Sequence, residues 1–491
     1  MKKLFLSSQV QEYERVYFSE GNSDKELMLQ AAKVTAEYVK KNYKNKKCIC
    51  VCGPGNNGGD GYYVGIYLFN AGFDIKIIDA LKNKTKSHLC FEAFNTARDM
   101  GLMHEPSILN EFDNDVVVID AIFGTSLRGS FDKNIINLIQ TMNSYEHIFS
   151  IDIPSGINPD TGVAFEANIN ANKTISFVGR KLGLSLNEGK IATGEKYFNN
   201  LNLDMEKESQ AAATAFKFND VKSLLPKRSS NSHKGDFGST LVLGGDKNMG
   251  GAAIMAAEAA LKSGSGLVSL ISHQTHLKAS LVRNPEIMAI GCDLPEEAAL
   301  NLVDKNVFVC GPGLSLSTWS EQIVNMLIKH LERNDGSVIF DAGALRYIAK
   351  NNVSLRAIRG SIILTPHPGE AADLLGVSVK EIQQDRIKAA KDLAAQYNAT
   401  IILKGAGTVI VDEKIYVCEE GGPELATGGT GDILAGIIGS LIAQGLSAQN
   451  ASLLAVATHG LAGSEFVKLH GEKGLAASEL IPLIRKKINN K

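Results

Sequence analysis

With 491 residues the chain has room for about three domains of ~150 residues each. Its 44% hydrophobic and 21% charged composition is that of an ordinary globular protein and excludes global disorder. Lys and Arg number 51 against 53 Asp and Glu, a formal charge of −2, so no whole-chain field draws nucleic acid or an anionic membrane. Seven Cys, an odd number, are scattered as free thiols would be in a reducing cytosol. The opening MKKLFLSSQVQEYERV has too short an apolar run for a signal peptide. The longest apolar stretch, 433–443, falls well short of the ~20 residues that span a bilayer. A soluble cytoplasmic protein with no membrane or nucleic-acid partner is expected.

In chain order, Leu27, Ala31, Val34 and Tyr38 recur at helical spacing and predict an amphipathic helix over 24–43. Apolar runs at 48–52, 75–79, 116–119, 148–153 and 174–178 read as strands, with helices over 60–70, 87–100 and 133–142. The first run holds Cys48, Cys50 and Cys52, whose alternation fits a buried strand and lacks the paired C-x-x-C spacing of a metal site. Strands apolar throughout, separated by helices, imply a parallel sheet covered on both faces. Ligands of such sheets lie beyond the carboxyl ends of the strands. Three strand ends here carry Gly-rich or acidic loops: GPGNNGGDG, DAIFGTSLRGS and DIPSG.

Residues 204–215, polar and Ala-rich, read as a linker. Beyond it STLVLGG, LVSLI, VFVCG, SVIFDAG, SIILTP, TIILKG, TVIV and KIYVC read as strands. Helices are expected over 251–263, 318–331, 379–396, 431–443, 448–469 and 476–487. Two α/β domains, 1–212 and 213–491, fit better than three, and no internal repeat relates them.

GPGNNG at 53–58 matches G-x-G-x-x-G between a strand and a helix, and Asp79 sits near the place of a ribose-binding acid. Asp60 in the first helical turn would repel a pyrophosphate there, which argues against an ordinary NAD site. The same Asp also serves as a plain first-turn residue. The alternative is a cleft receiving Asn56, Asn57 and Asp60, with Asp120 and Asp152 from two further strand ends on the same sheet edge. Oxygen donors of this kind suit an oxygen-preferring cation.

GPGNNGGDGYYVG, DAIFGTSLRG and SIDIPSGINPDTG, within residues 8–200, together resemble the NAD(P)H-hydrate epimerase domain. The resemblance implies a Rossmann-like three-layer sandwich that interconverts the R and S epimers at C6 of hydrated NADH or NADPH. It places Asn56, Asn57, Gly58, Gly59 and Asp60, and Gly124, Thr125, Ser126, Leu127, Arg128, Gly129 and Ser130, in the lining of the substrate site. Asp152 also contacts substrate, and K+ is held by Asn57, Asp120 and Ser155. Asp152 is the expected acid–base group, with Asp120 as its rival.

In the second half, TGGTGDILAGIIG (427–439) sets glycines at the start of an apolar helix, an anion site with Asp432 beside it as base for an attacking hydroxyl. His367 is fixed between Pro366 and Pro368, and ILKGAGTVIV forms a strand, a Gly loop and a strand. No G-x-x-x-x-G-K-[ST] occurs. Read alone, each feature has a plain alternative: a capped turn, a loop histidine and, for ILKGAGTVIV, a hairpin on equal terms.

HKGDFG, GPGLS, TPHPGE, LKGAGT and GGTGD, in that order over 216–488, resemble the ADP-dependent NAD(P)H-hydrate dehydratase domain of the ribokinase-like superfamily. The resemblance implies a ribokinase-like α/β domain in which Ala253, Gly313, His367 and Asp432 contact substrate. Lys404, Gly405, Ala406, Gly407, Thr408 and Gly431 would bind adenine nucleotide, with Mg2+ arriving on ADP. The terminal phosphoryl passes to the C6 hydroxyl, phosphate leaves, and NAD(P)H and AMP remain. Joined, the halves form a bifunctional repair enzyme that rescues both epimers, and a homo-oligomer is expected. The rivals are a small-alcohol kinase fused to an NAD-binding domain, and a first half that binds without catalysing.

Overall fold

Lys47–Cys52 shows why the first half folds as it does. Five of its six residues are buried. Cys48, Cys50 and Cys52 face one hydrophobic cluster with Tyr62 and Val64, while Ile49 and Val51 face a second with Ile135 and Ile139. A strand buried on both faces belongs at the centre of a parallel sheet. The computed structural model describes residues 1–44, 46–110, 116–127 and 129–489. The chain divides into units 2–214 and 215–491, Met1 grouping with the second.

The first unit carries seven parallel strands in the spatial order Met103–His104, Ile75–Asp79, Lys47–Cys52, Val116–Ala121, His147–Ile151, Lys173–Phe177 and Glu195–Asn199. The chain runs outward on one side of Lys47–Cys52 and then returns to build the other side. The switch point lies between Lys47–Cys52 and Val116–Ala121, where α/β sheets open a ligand crevice. The helix Asn56–Asn70 presses on this spot. A Cβ at Gly61 would stand 2.4 Å from Ala121 Cβ, so only glycine lets the helix approach so closely.

The second unit has its own sheet, in the order Ile415–Cys418, Thr408–Val411, Thr400–Leu403, Ile362–Leu364, Ser337–Phe340, Val307–Cys310, Ser239–Leu243, Leu267–His273 and Met288–Cys292. All pairings are parallel except those of Thr408–Val411, which is antiparallel to both neighbours. Helices Gly250–Lys262, Thr430–Ala443, Ala448–His470 and Leu480–Ile488 share one hydrophobic cluster with one sheet face. The fold class expected for both halves is the one observed. Among the described residues no helix is long and apolar enough to cross a membrane.

Four local expectations need correction. The helix expected over 60–70 begins at Asn56, because Gly55 is extended (φ −90°, ψ −172°) and caps it, so NNGGD is helical and Asp60 is a full turn in. The strand expected over 148–153 stops at Ile151, because Asp152 turns left-handed with φ 64°. The helix expected over 379–396 is two, Val379–Gln384 and Arg386–Tyr397; Asp385 leaves the helix (φ −149°) and caps the second with its carboxylate on Lys388 N. The linker read at 204–215 holds the helix Met205–Glu208 and most of the strand Ala213–Phe216. A further helix, Ser7–Ser19, was not anticipated.

Candidate active sites

At the switch point of the first unit, Asn57, Asp120 and Ser155 come together. Asn57 Nδ2 donates to Phe123 O (3.0 Å), and Phe123 N donates to Ser155 Oγ (2.9 Å). Ser155 gives its backbone N–H and hydroxyl to the two oxygens of Asp120 (2.8 and 2.5 Å), and Ser150 Oγ adds a third bond (2.8 Å). Asp120 is fully buried; burial pushes its carboxyl up, against these hydrogen bonds. Among the described residues no Lys, Arg or His forms an ion pair with it. Asn57 Oδ1 is buried with no hydrogen-bond partner. An orphaned amide oxygen beside an uncompensated buried carboxylate fits an alkali cation held by oxygens.

One strand further along, Asp152 anchors a second cluster. Lys181, 3% exposed, donates to Asp152 Oδ1 (2.5 Å) and Phe177 O (2.8 Å). Phe177 N and Ser176 Oγ also reach Oδ1 (3.3 and 3.4 Å), while Oδ2 takes no protein hydrogen bond among the described residues. Glu14, from Ser7–Ser19, is pushed up to about 7 by burial and the Asp152 charge, against the pull of Lys181. Asp60 lies well above the usual carboxylate range, from burial first and then the charges of Asp152 and Glu14. Asp60, Asp152 and Glu14 thus form one cluster of acidic groups around Lys181.

Asn56 is exposed, Gly58 and Gly59 are buried in the same helical turn, and Gly124 packs where a Cβ would stand 3.2 Å from Asn57 Cβ. Thr125, reached by Gln11 Nε2 (3.3 Å), Ser126, Leu127, Gly129 and Ser130 follow; Arg128 lies outside the described residues. Lys181 and Glu14 were missed because nothing local marks them. The one signal was a lysine four residues past the strand Lys173–Phe177.

In the second unit, five adjacent strand ends build the site. Gly429, in the left-handed region (φ 97°), caps Thr430–Ala443 and places Asp432 at its third position. Asp432 is pushed up to about 7, by burial first and then by the charges of Asp341 and Glu370, against Lys404. Lys404 Nζ lies 3.0 Å from Asp341 Oδ1 and 3.9 Å from Glu370 Oε2. A Cβ on Gly431 would be 3.3 Å from that ammonium. Burial pulls Lys404 down, but Asp341 and Glu370 outweigh it and push it up. Thr365 Oγ1 steadies Asp341 Oδ1 (2.7 Å).

His367 caps Pro368–Leu375: its Nδ1 accepts from Gly369 N and Glu370 N (3.0 and 3.2 Å), and its Nε2 lies 3.3 Å from Glu370 Oε1. With Nδ1 accepting, the ring proton sits on Nε2. Glu370 thus lies between His367 and Lys404, and its charge, with that of Asp341, acts on Asp432.

The loop Lys404, Gly405, Ala406, Gly407 and Thr408 is pinned from beneath by Arg386, 1% exposed. Its guanidinium donates to the carbonyls of Leu403, Lys404 and Ala406 (3.1, 3.1 and 2.5 Å). Ala253 packs where Cβ atoms on Gly244 and Gly245 would be 3.2 Å away, and Gly313 is wedged beside Gly245. Asp246 ties this corner to Ser315, Ser317 and Ser320. Asp341, Glu370, Asp246 and Arg386 were not singled out in advance, although the first two lie inside SVIFDAG and TPHPGE.

Residues 240–486 match the family described as NAD(P)H-hydrate dehydratase, and residues 24–183 match the YjeF-related protein N-terminus. The chain is also similar to the crystallised ADP/ATP-dependent NAD(P)H-hydrate dehydratase of Bacillus subtilis. The two are 32% identical with a TM-score of 0.52, covering 57% of this chain and 98% of that one. Fold and sites together define a two-domain α/β enzyme that handles nucleotides. Over the whole length the chain is 35% identical to the bifunctional NAD(P)H-hydrate repair enzyme Nnr of Coxiella burnetii, covering 100% of both. It is 34% identical to that of Escherichia coli, over 94% of this chain and 89% of that protein. The chain belongs to this family of bifunctional NAD(P)H-hydrate repair enzymes.

Proposed function

We propose that the first unit epimerises hydrated NADH and NADPH with Asp152 as the acid–base group. The observation that carries this is the asymmetry of the Asp152 carboxylate: Oδ1 is held by Lys181, and Oδ2 is unengaged among the described residues. Asp120, fully buried and bonded to Ser150 and Ser155, is placed to hold a cation and not to meet the substrate. Asp152 Oδ2 takes the C6 hydroxyl proton; the C–N bond of the hemiaminal opens and re-forms on the other face as the proton returns. Asn57, Asp120 and Ser155 would hold potassium, which supplies a charge that offsets buried Asp120. Asn56, Gly58, Gly59, Asp60, residues 124–127 and residues 129–130 line the substrate in this reading.

The second unit removes water from the S epimer at the expense of ADP. Asp432, titrating near neutrality, takes the hydroxyl proton as the oxygen attacks the terminal phosphoryl group. AMP remains from that transfer; phosphate, a far better leaving group than hydroxide, then departs from C6 while C5 gives its proton to solvent and the ring double bond re-forms. Lys404 to Thr408 and Gly431 hold the nucleotide, and Ala253, Gly313 and His367 hold the hydrate. Magnesium carried on the nucleotide would screen its phosphates. Seven free, buried thiols support a reducing, cytoplasmic setting.

The test supplies purified S and R hydrates with and without ADP and Mg2+. NADH absorbance should return from S only with ADP, and R should convert to S without ADP. Both hydrates left untouched would overturn the reading.

A further inference from the structure

Asp79, which the sequence placed where a ribose-binding acid would stand, takes no part in either site. It opens a separate cleft of about 920 Å³ whose lining includes Asp79, Lys84, Lys86, Phe91, Phe94 and Arg98. The cleft adjoins the epimerase site. Ser87 Oγ donates to Asn56 Oδ1 (2.8 Å), and Asp79 is the direct register partner of Cys52, which ends the strand leading to the NNGGD turn.

Asp79 cannot chelate a ribose. Lys86 Nζ lies 2.6 Å from its Oδ2, both side chains nearly buried, and Leu81 N donates to Oδ1 (3.2 Å). A free acid at this place takes a 2′-hydroxyl and rejects a 2′-phosphate, whereas a cation reverses the preference. Lys86 neutralises the acid here. Lys82 is paired with Glu105 and Arg98 with Asp99, while Lys84 has no carboxylate partner among the described residues. Phe91, in the lining of the same cleft, is 55% exposed. An exposed ring and a lysine without a carboxylate partner among the described residues, in one cleft, are the groups that take a base and a phosphate.

We infer that this cleft receives the adenosine end of the dinucleotide, with adenine on Phe91 and the 2′-phosphate of hydrated NADPH on Lys84. The first unit then favours the 2′-phosphorylated substrate. The inference rests on the epimerase reading of that unit.

The test follows conversion of R to S by chromatography, without ADP, using the full chain. The substrates are the hydrates of NADPH, NADH and reduced nicotinamide mononucleotide. Phe91→Ala should raise KM for both dinucleotides about 5–10-fold. Lys84→Ala should raise it about 10-fold for hydrated NADPH alone. The mononucleotide, lacking the adenylate, should show neither rise. An active parent enzyme with KM unmoved in both variants, or raised equally for the mononucleotide, would overturn the subsite and leave the epimerase reading standing. A parent that converts none of the three hydrates would overturn both.

Discussion

Replacing Asp432 by Asn should make the second unit more stable as it stops dehydration. The carboxyl moves from an ordinary 3.8 to about 7 on folding, chiefly through burial. Below 3.8 it is protonated in folded and unfolded chains alike, and nothing separates variant from parent. Between 3.8 and about 7 only the unfolded carboxyl ionises, so stability falls with rising pH. The slope is about 1.4 kcal/mol per pH unit. Above about 7 both forms ionise and the penalty levels off, at about 4 kcal/mol before solvent screening and about 2–3 kcal/mol after it. Asn carries none of this. Calorimetry of the full chain should therefore show a gain for Asp432→Asn larger by about 2 kcal/mol at pH 8 than at pH 5, roughly 4–8 °C in Tm. An equal gain at both pH values, or a loss growing with pH, would refute the reasoning.

Three further outcomes follow from the same geometry. The dehydration rate should fall on the acid side of about pH 7, since Asp432 must be ionised to act as base; a pH–rate profile flat from 6 to 8 would move the base elsewhere. Lys181→Met removes the ammonium that holds Asp152, and epimerisation of the R hydrate should drop about 100-fold or more with ADP-dependent turnover of S unchanged. A matched loss of both activities would mark a folding defect instead. Arg386→Met releases two backbone carbonyls of the nucleotide loop and that of Leu403 before it, and KM for ADP should rise about 10-fold with kcat within about twofold. An unmoved KM in initial-rate measurements would show that the loop holds its shape unaided.

Much of this was legible in the chain because the features are local. KCICVC and VVVIDA declare buried strands by unbroken apolarity, and the glycine motifs follow them at the sheet's carboxyl edge. What escaped is set by distance in space. Lys181 meets Asp152 only after a strand and a turn, and Glu14 arrives on a helix whose apolar signal is weak, only Val10 being buried. Asp341 and Glu370 were in quoted motifs, but their roles emerge only when Lys404 lies between them. Periodicity continued through 379–396 because the break is made by one side chain: Asp385 departs from the helix and caps its successor.

The backbone at Asp152 alters how scanning mutagenesis of the first unit should be interpreted. Alanine there is forced into a dihedral region it dislikes by about 1 kcal/mol, whereas glycine accepts the same twist freely. Both lose the carboxylate, so the customary ranking inverts, and Asp152→Gly should melt above Asp152→Ala. A probe of chemistry at that position is best made with the residue that relaxes the chain, or part of the damage recorded will be conformational.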